Sequence, residues 1–133
     1  MSGFDTLKNK KILVVGATGG LGSAIARFLS AKGAALFLSG RNEEALSVIA
    51  QDLGADSLAL NLNNASERVS LVATVGALDG VVYAAGVSPV APVRYLKDTD
   101  ITTCLPLHTT APLLLVRDLL KQKKLTAGAS IVW

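Results

Sequence analysis

The apolar positions of this chain fall into short unbroken blocks separated by stretches with a helical period. Ile12-Leu13-Val14-Val15 runs straight into Gly16, the mark of a strand covered on both faces. Leu21, Ala24, Ile25, Phe28 and Leu29 then recur at i, i+3, i+4, i+7 and i+8. That spacing predicts an amphipathic helix with this stripe turned inward. Lys32-Gly33 predicts its end, with a cation in the last turn and a left-handed cap. Ala35-Leu36-Phe37-Leu38 is a second strand block, and Leu46, Ile49, Ala50 and Leu53 form a second helical stripe stopped by Gly54. Ser57-Leu58-Ala59-Leu60 predicts a third strand, and Ser66 is expected to cap a short helix carrying Val69, Val72 and Ala73. Gly80-Val81-Val82-Tyr83 predicts a fourth strand, running into Ala84-Ala85-Gly86. A loop with Pro89 and Pro92 follows over residues 87–97. One long helix is expected from Asp98 or Thr99 to near Lys124, apolar almost all round at Leu113-Leu114-Leu115-Val116 and so covered on both sides. Ser130-Ile131-Val132-Trp133 opens a fifth strand.

Strands that alternate with helices cannot form a hairpin meander. They predict βαβ units, and so an α/β fold with a doubly wound parallel sheet, as one domain over residues 1–133. A strand at the very end of the chain leaves that sheet incomplete. The expectation is that a longer protein continues beyond Trp133, the other possibility being cover by a partner subunit.

Composition narrows the classes. Half of the 133 residues are hydrophobic and 17% are charged, which excludes a disordered tail. The run at residues 113–116 is far too short for a bilayer, so no membrane segment is expected. Met1-Ser2-Gly3-Phe4-Asp5 has neither the basic start nor the apolar stretch of a secretion signal. Cys104 stands alone, so no intrachain disulfide forms and a reducing cytoplasm is the expected compartment. The net charge is +3, with lysine clusters at Lys8, Lys10 and Lys11 and at Lys121, Lys123 and Lys124. Neither cluster is interleaved with aromatic residues, so they read as solvated lysines at element ends and no nucleic-acid partner is expected.

The strongest chemical signal is Gly16-Ala17-Thr18-Gly19-Gly20-Leu21-Gly22, between the first strand and the first helix. A pyrophosphate needs a sharp turn, closely approaching backbone and free N–H groups at a helix start. Gly16 permits the turn, Gly20 removes a side chain that would hold phosphates away, and Gly22 lets the helix pack closely. Thr18 and Leu21 place amides nearby, and the Thr18 hydroxyl can add a hydrogen bond. The competing reading is a loop that only turns the chain; the strand before and the helix after favour the phosphate. At the end of the second strand stands Ser39-Gly40-Arg41, with no carboxylate to hold a ribose 2′-hydroxyl. A guanidinium can bind a 2′-phosphate bidentately, with Ser39 and Asn42 as further donors. NADP(H) is therefore expected over NAD(H), against the alternative of a surface arginine opening a helix.

With these residues the chain resembles the short-chain dehydrogenase/reductases, over roughly the amino-terminal, cofactor-binding half of a typical member. Gly16-x-x-x-Gly20-x-Gly22 matches the family's glycine motif, and Gly40-Arg41 its NADP-preferring members. Asn61-Leu62 stands where the family has Asp and an aliphatic residue beside the adenine. Tyr83-Ala84-Ala85-Gly86 matches Asn-Asn-Ala-Gly only in Ala85 and Gly86, which by resemblance let backbone approach the adenosine ribose. The resemblance thus implies a Rossmann-type fold and a cofactor site of Gly16, Thr18, Gly19, Gly20, Leu21, Gly22, Ser39, Arg41, Asn61, Leu62, Ala84, Ala85 and Gly86. His108 replaces the family's relay Asn in the segment His108-Thr109-Thr110-Ala111-Pro112; a lone histidine is otherwise a structural residue. Pro106 and Pro112 each cost a helix interior roughly 3 kcal/mol unless a kink accommodates them. Cys104 reads as core or interface filler.

The family's acid is a Tyr-x-x-x-Lys aided by a Ser. The tyrosines here are Tyr83 and Tyr95, followed four residues on by Val87 and Thr99, so no catalytic residue and no metal ligand is nominated. The expected function is an NADP(H)-dependent oxidoreductase moving hydride between nicotinamide and a small-molecule carbonyl or alcohol. This chain would be its cofactor-binding half, inactive alone. A homo-oligomer through helix 98–124 is implied by the family's habit. The alternatives are a non-catalytic dinucleotide-binding or sensor module that engages a protein partner by its exposed sheet edge, and a fragment with no competent site.

Overall fold

The computed structural model describes residues 6–133; the opening five residues, and with them the reading of a missing secretion signal, lie outside it. Five parallel strands are β1 (Lys11–Val15), β2 (Ala35–Gly40), β3 (Asp56–Ala59), β4 (Leu78–Tyr83) and β5 (Leu125–Val132), ordered β3-β2-β1-β4-β5. The helices are α1 (Gly20–Ala31), α2 (Glu43–Leu53), α3 (Ala65–Thr74), α4 (Asp98–Leu105) and α5 (Ala111–Lys121). The doubly wound sheet expected from the alternation is therefore present.

The central strand shows why an unbroken apolar run was needed. Leu13 and Val15 point to a core shared with Leu71 and Val72 of α3 and Leu115 and Leu119 of α5. Ile12 and Val14 point to the other face, with Ala26 of α1 and Leu46, Ile49 and Ala50 of α2. Period-2 alternation sends successive side chains to opposite faces, and here both faces are dry.

Helix α1 turns differently from its predicted stripe. Gly22 and Ala26 are its buried residues, whereas Leu21 is 70% and Phe28 61% exposed. The first turn lies so close to the β1–α1 loop that only the smallest side chains fit beneath it. The left-handed stop is as expected, with Gly33 at φ 89° and Ala34 N–H donating to the Leu29 carbonyl at 3.1 Å, but the last turn holds no cation, since α1 ends at Ala31 and Lys32 follows it as the cap. In α3 the cap is Asn64, not Ser66: its side-chain oxygen accepts from the amides of Ser66 and Glu67 at 3.0 and 3.3 Å. That shift of phase buries Leu71 and leaves Val69 and Ala73 exposed.

The expected helix 98–124 is three pieces. A π turn over Pro106–Thr110 separates α4 from α5, and α5 ends at Lys121. Two prolines without N–H donors are absorbed by the wider turn instead of breaking the helix. Cover on both sides is not met within the chain, since Leu115 is fully buried and Leu113 is 54% exposed. Strand β5 starts at Leu125, five residues before its predicted start, because Leu78 N–H donates to Lys124 O at 2.7 Å and Thr126 donates to the Asp79 carboxylate at 2.9 Å. Its residues are exposed or half-buried on both faces. An open groove of about 330 Å³ runs from Leu29 and Ile12 across β4 to β5. Strand β5 is thus the open edge of the sheet. Among the described residues no helix is long and apolar enough to cross a membrane.

Candidate functional site

From β1 the chain winds to β2 on one side, and after β3 it crosses to β4 on the other. The loops leaving β1 and β4 diverge there, which opens a crevice at the carboxyl ends of the two strands. A cavity of about 220 Å³ occupies it, walled by the glycine loop, the end of β2, Leu60 and Leu62 after β3, the segment Ala84–Gly86 after β4, and Leu107.

Gly16 makes the turn off β1 at φ 82°, and a Cβ there would stand 2.5 Å from the Ala85 nitrogen. The amides of Gly16 and Ala17 both donate to the Ser39 carbonyl, at 2.8 and 3.0 Å, which locks the loop to β2. A Cβ on Gly22 would collide with the Gly16 carbonyl oxygen, so this glycine sets the depth of α1. Ahead of Gly20 the space is open, with nothing within 4 Å of where a Cβ would be.

The start of α1 is electrostatically bare. It has Gly19 at its cap, no side-chain cap bond and no acidic residue in its first turn. Helix α2, by contrast, is capped by Asn42 with Glu43 and Glu44 in its first turn, and α3 by Asn64 with Glu67. The partial positive charge of the α1 amides is thus left facing the crevice, where an anion lowers the energy. Arg41, exposed and on the cavity wall, supplies a cation at the end of β2. These features fit a pyrophosphate with a charged group beyond it.

The structure brings Gly16, Thr18, Gly19, Ser39, Arg41, Leu62, Ala84, Ala85 and Gly86 together on the cavity. Gly20, Leu21 and Gly22 form the helix start beside it and are not part of its wall. Two residues stand otherwise than expected. Ser39 is 1% exposed and its hydroxyl is buried without a partner, so it offers no donor to a ligand at Arg41. Asn61 is not on the cavity wall; its side-chain oxygen accepts from Asn63 N–H at 3.0 Å and its backbone N–H donates to the Glu67 carboxylate. Asn42 is on the wall, with its side-chain oxygen accepting from the Ala45 amide at 2.9 Å.

Two polar residues beneath this wall, Arg68 and Tyr83, were not read from the sequence as support. Arg68, 6% exposed, donates to the Leu62 carbonyl at 2.6 Å and so holds a cavity residue from below. Tyr83, 8% exposed, donates its hydroxyl to the Leu107 carbonyl at 2.6 Å; burial pushes this phenol up to about 12. The ring nitrogen of His108 lies 2.8 Å from the Val87 carbonyl, and the Cys104 thiol donates to the same oxygen at 3.4 Å. Polar residues inside an apolar period were the available signal for Arg68 and Tyr83. Among the described residues no cluster of His, Cys, Asp and Glu can hold a metal ion.

Comparison with known proteins adds the lineage. The family model for short chain dehydrogenase matches residues 10–133. The chain is 34% identical over 119 residues to the 3-oxoacyl-[acyl-carrier-protein] reductase FabG of Rickettsia bellii, covering 87% of this chain and 49% of that protein. Among solved structures, a short chain dehydrogenase from Salmonella enterica serovar Typhi superposes with a TM-score of 0.82 at 28% identity, over 92% of this chain and 56% of that one. BdcA in complex with NADPH superposes with a TM-score of 0.84 at 24% identity, over 95% and 52% of the two chains, and shares the fold. The chain spans about half the length of the curated relatives it matches.

Proposed function

The chain belongs to the short-chain dehydrogenase family, and from that premise we propose that it is the cofactor-binding half of an NADP(H)-dependent oxidoreductase. The observation that carries the cofactor choice is Arg41 at the cavity mouth, where the end of β2 offers no carboxylate. A carboxylate accepts from a ribose 2′-hydroxyl and repels a 2′-phosphate; a guanidinium does the reverse. In this reading the amides of Gly20, Leu21 and Gly22 hold the pyrophosphate. Arg41 and the Asn42 NH₂ group hold the 2′-phosphate, while Leu60 and Leu62 flank the adenine and Ala84–Gly86 the ribose.

When bound, the nicotinamide supplies hydride exchange with a carbonyl or alcohol of a small molecule. The chain's own residues bind and orient. Neither tyrosine is free to serve as an acid here, since Tyr83 is spent on Leu107 and Tyr95 lies in an exposed turn at Val93–Tyr95. We therefore assign turnover and substrate choice to the complete protein, and no reduction to this chain alone. A cavity of about 220 Å³ is below the roughly 300–1,000 Å³ of a full ligand site, in keeping with half a cradle. A second reading, a non-catalytic dinucleotide sensor docking a partner along its open edge, is favoured by the uncovered β5. The outward face of α4 and α5, with Ile101, Leu105, Leu113 and Leu120 exposed, is the proposed homo-oligomer surface. Cytoplasmic location is proposed from the single cysteine.

The test is calorimetric titration of NADPH and NADH into the folded chain. NADPH is expected to bind at least about tenfold more tightly, the worth of one charge-assisted contact. Equal affinities would remove the NADP(H) assignment, and binding of neither would remove the cofactor reading.

A further inference from the structure

The π turn leaves one buried main-chain oxygen without a helical donor. Ala111 N–H, which an α-helix would give to the carbonyl four residues back at Leu107, bonds to Pro106 instead. In the π pattern the donor for Leu107 is residue 112, and Pro112 has no N–H. Leu107 is 6% exposed, and an unpaired buried carbonyl is costly. The Tyr83 hydroxyl fills the gap at 2.6 Å from 24 residues away.

The same turn carries His108 against the loop leaving β4. Its ring nitrogen sits 2.8 Å from the Val87 oxygen and 3.2 Å from the Val87 nitrogen. A Cβ at Gly86 would collide with this ring. Tyr83 and His108 thus pin the wall Ala84–Gly86 on either side of it.

We propose that Tyr83 is a positioning residue of the nucleotide cradle: its hydroxyl replaces the donor that Pro112 withholds from Leu107, and so fixes the π turn that sets His108 against Val87 and the Ala84–Gly86 wall. This rests on the cofactor reading for its ligand, but the pinning itself is a property of the free protein. The phenol is protonated at neutral pH even at its ordinary 10.0, and burial raises it further, so the donor is present there. A phenylalanine keeps the packing and removes only the donor.

The experiment pairs NADPH titration with amide and imidazole NMR on the full chain. Tyr83→Phe is expected to raise the NADPH Kd by about fivefold. It should also shift the Val87 amide and His108 ring resonances while leaving those of α2 in place. A purely space-filling Tyr83 moves neither the affinity nor those resonances, and that result overturns the proposal. If Tyr83→Phe does not fold, adding Pro112→Ala, which returns an N–H to Leu107, should restore folding and bring the NADPH Kd back to within about twofold of the native value; failure to restore folding overturns the proposal. Should the unmodified chain bind neither NADPH nor NADH, the cofactor reading fails, and the Val87 and His108 shifts alone decide the pinning.

Discussion

Ser39 and Arg41 are two residues apart in sequence, and only one of them reaches solvent. The reason is the sheet. Strand β2 is covered on both faces, so its polar residue is buried whichever way it points, whereas Arg41 lies past the strand end. Alternation cannot show which polar side chains of such a strand are wasted, and Ser39 was therefore read as a donor. Asn61 illustrates a second limit, because its side chain closes a local turn on Asn63. The glycine motif was legible for the opposite reason: Gly16 and Gly22 are held by collisions that any side chain would cause. At Arg41 the expected outcome is selective. Arg41→Ala should weaken NADPH about 10- to 100-fold, the range of a lost hydrogen-bonded charge, and leave NADH within about twofold. Parallel titrations of the two cofactors check this. Equal losses for both would place Arg41 away from the 2′ position.

Elements were legible where packing is periodic and illegible where hydrogen bonds decide. The first four strands, the end of β5 and the existence of the first two helices follow from apolar spacing, yet the phase of α1 was set by Gly22 seated on the Gly16 carbonyl. The start of α3 was set by Asn64, which satisfies two amides where Ser66 was expected to cap. The first half of β5 lacks any apolar block, and its place comes from pairing with β4 and from Asp79. No periodicity marks the π turn, because its cause is a missing N–H at Pro112 and a phenol on another element. The link between β4 and that turn carries its own pH signature. Burial raises the Tyr83 phenol from its ordinary 10.0 to about 12 in the native state. Its contribution is then complete below about pH 10 and is lost as pH rises through about 12, because the unfolded phenol ionises first. Urea midpoints should fall over this interval in the native sequence, and the fall should be shallower in Tyr83→Phe. Parallel slopes for the two proteins would mean that Tyr83 titrates as an ordinary exposed phenol.

A sheet ordered β3-β2-β1-β4-β5 puts its crevice at the strand ends and leaves its last strand at an edge. Both facts were contained in the alternation of strand and helix, since right-handed crossovers allow few other arrangements. What the alternation could not show is which helix faces remain bare. Leu113 and Leu120 are two turns apart on α5 and are 54% and 60% exposed, while Leu115 and Leu119 between them are fully buried. Leu105 on α4 is 58% exposed as well. An apolar surface of this kind, set on regular helices away from the cavity, is suited to isologous pairing with a second copy. The expected outcome is a sedimentation coefficient that rises with protein concentration. The double substitution Leu113→Lys and Leu120→Lys should abolish that rise by placing two charges in the contact, with NADPH affinity unchanged within about twofold. An unmodified chain that sediments as a monomer at every concentration would reject self-pairing. Association that survives both lysines would move the contact elsewhere, with the open flank of β5 the next surface to substitute.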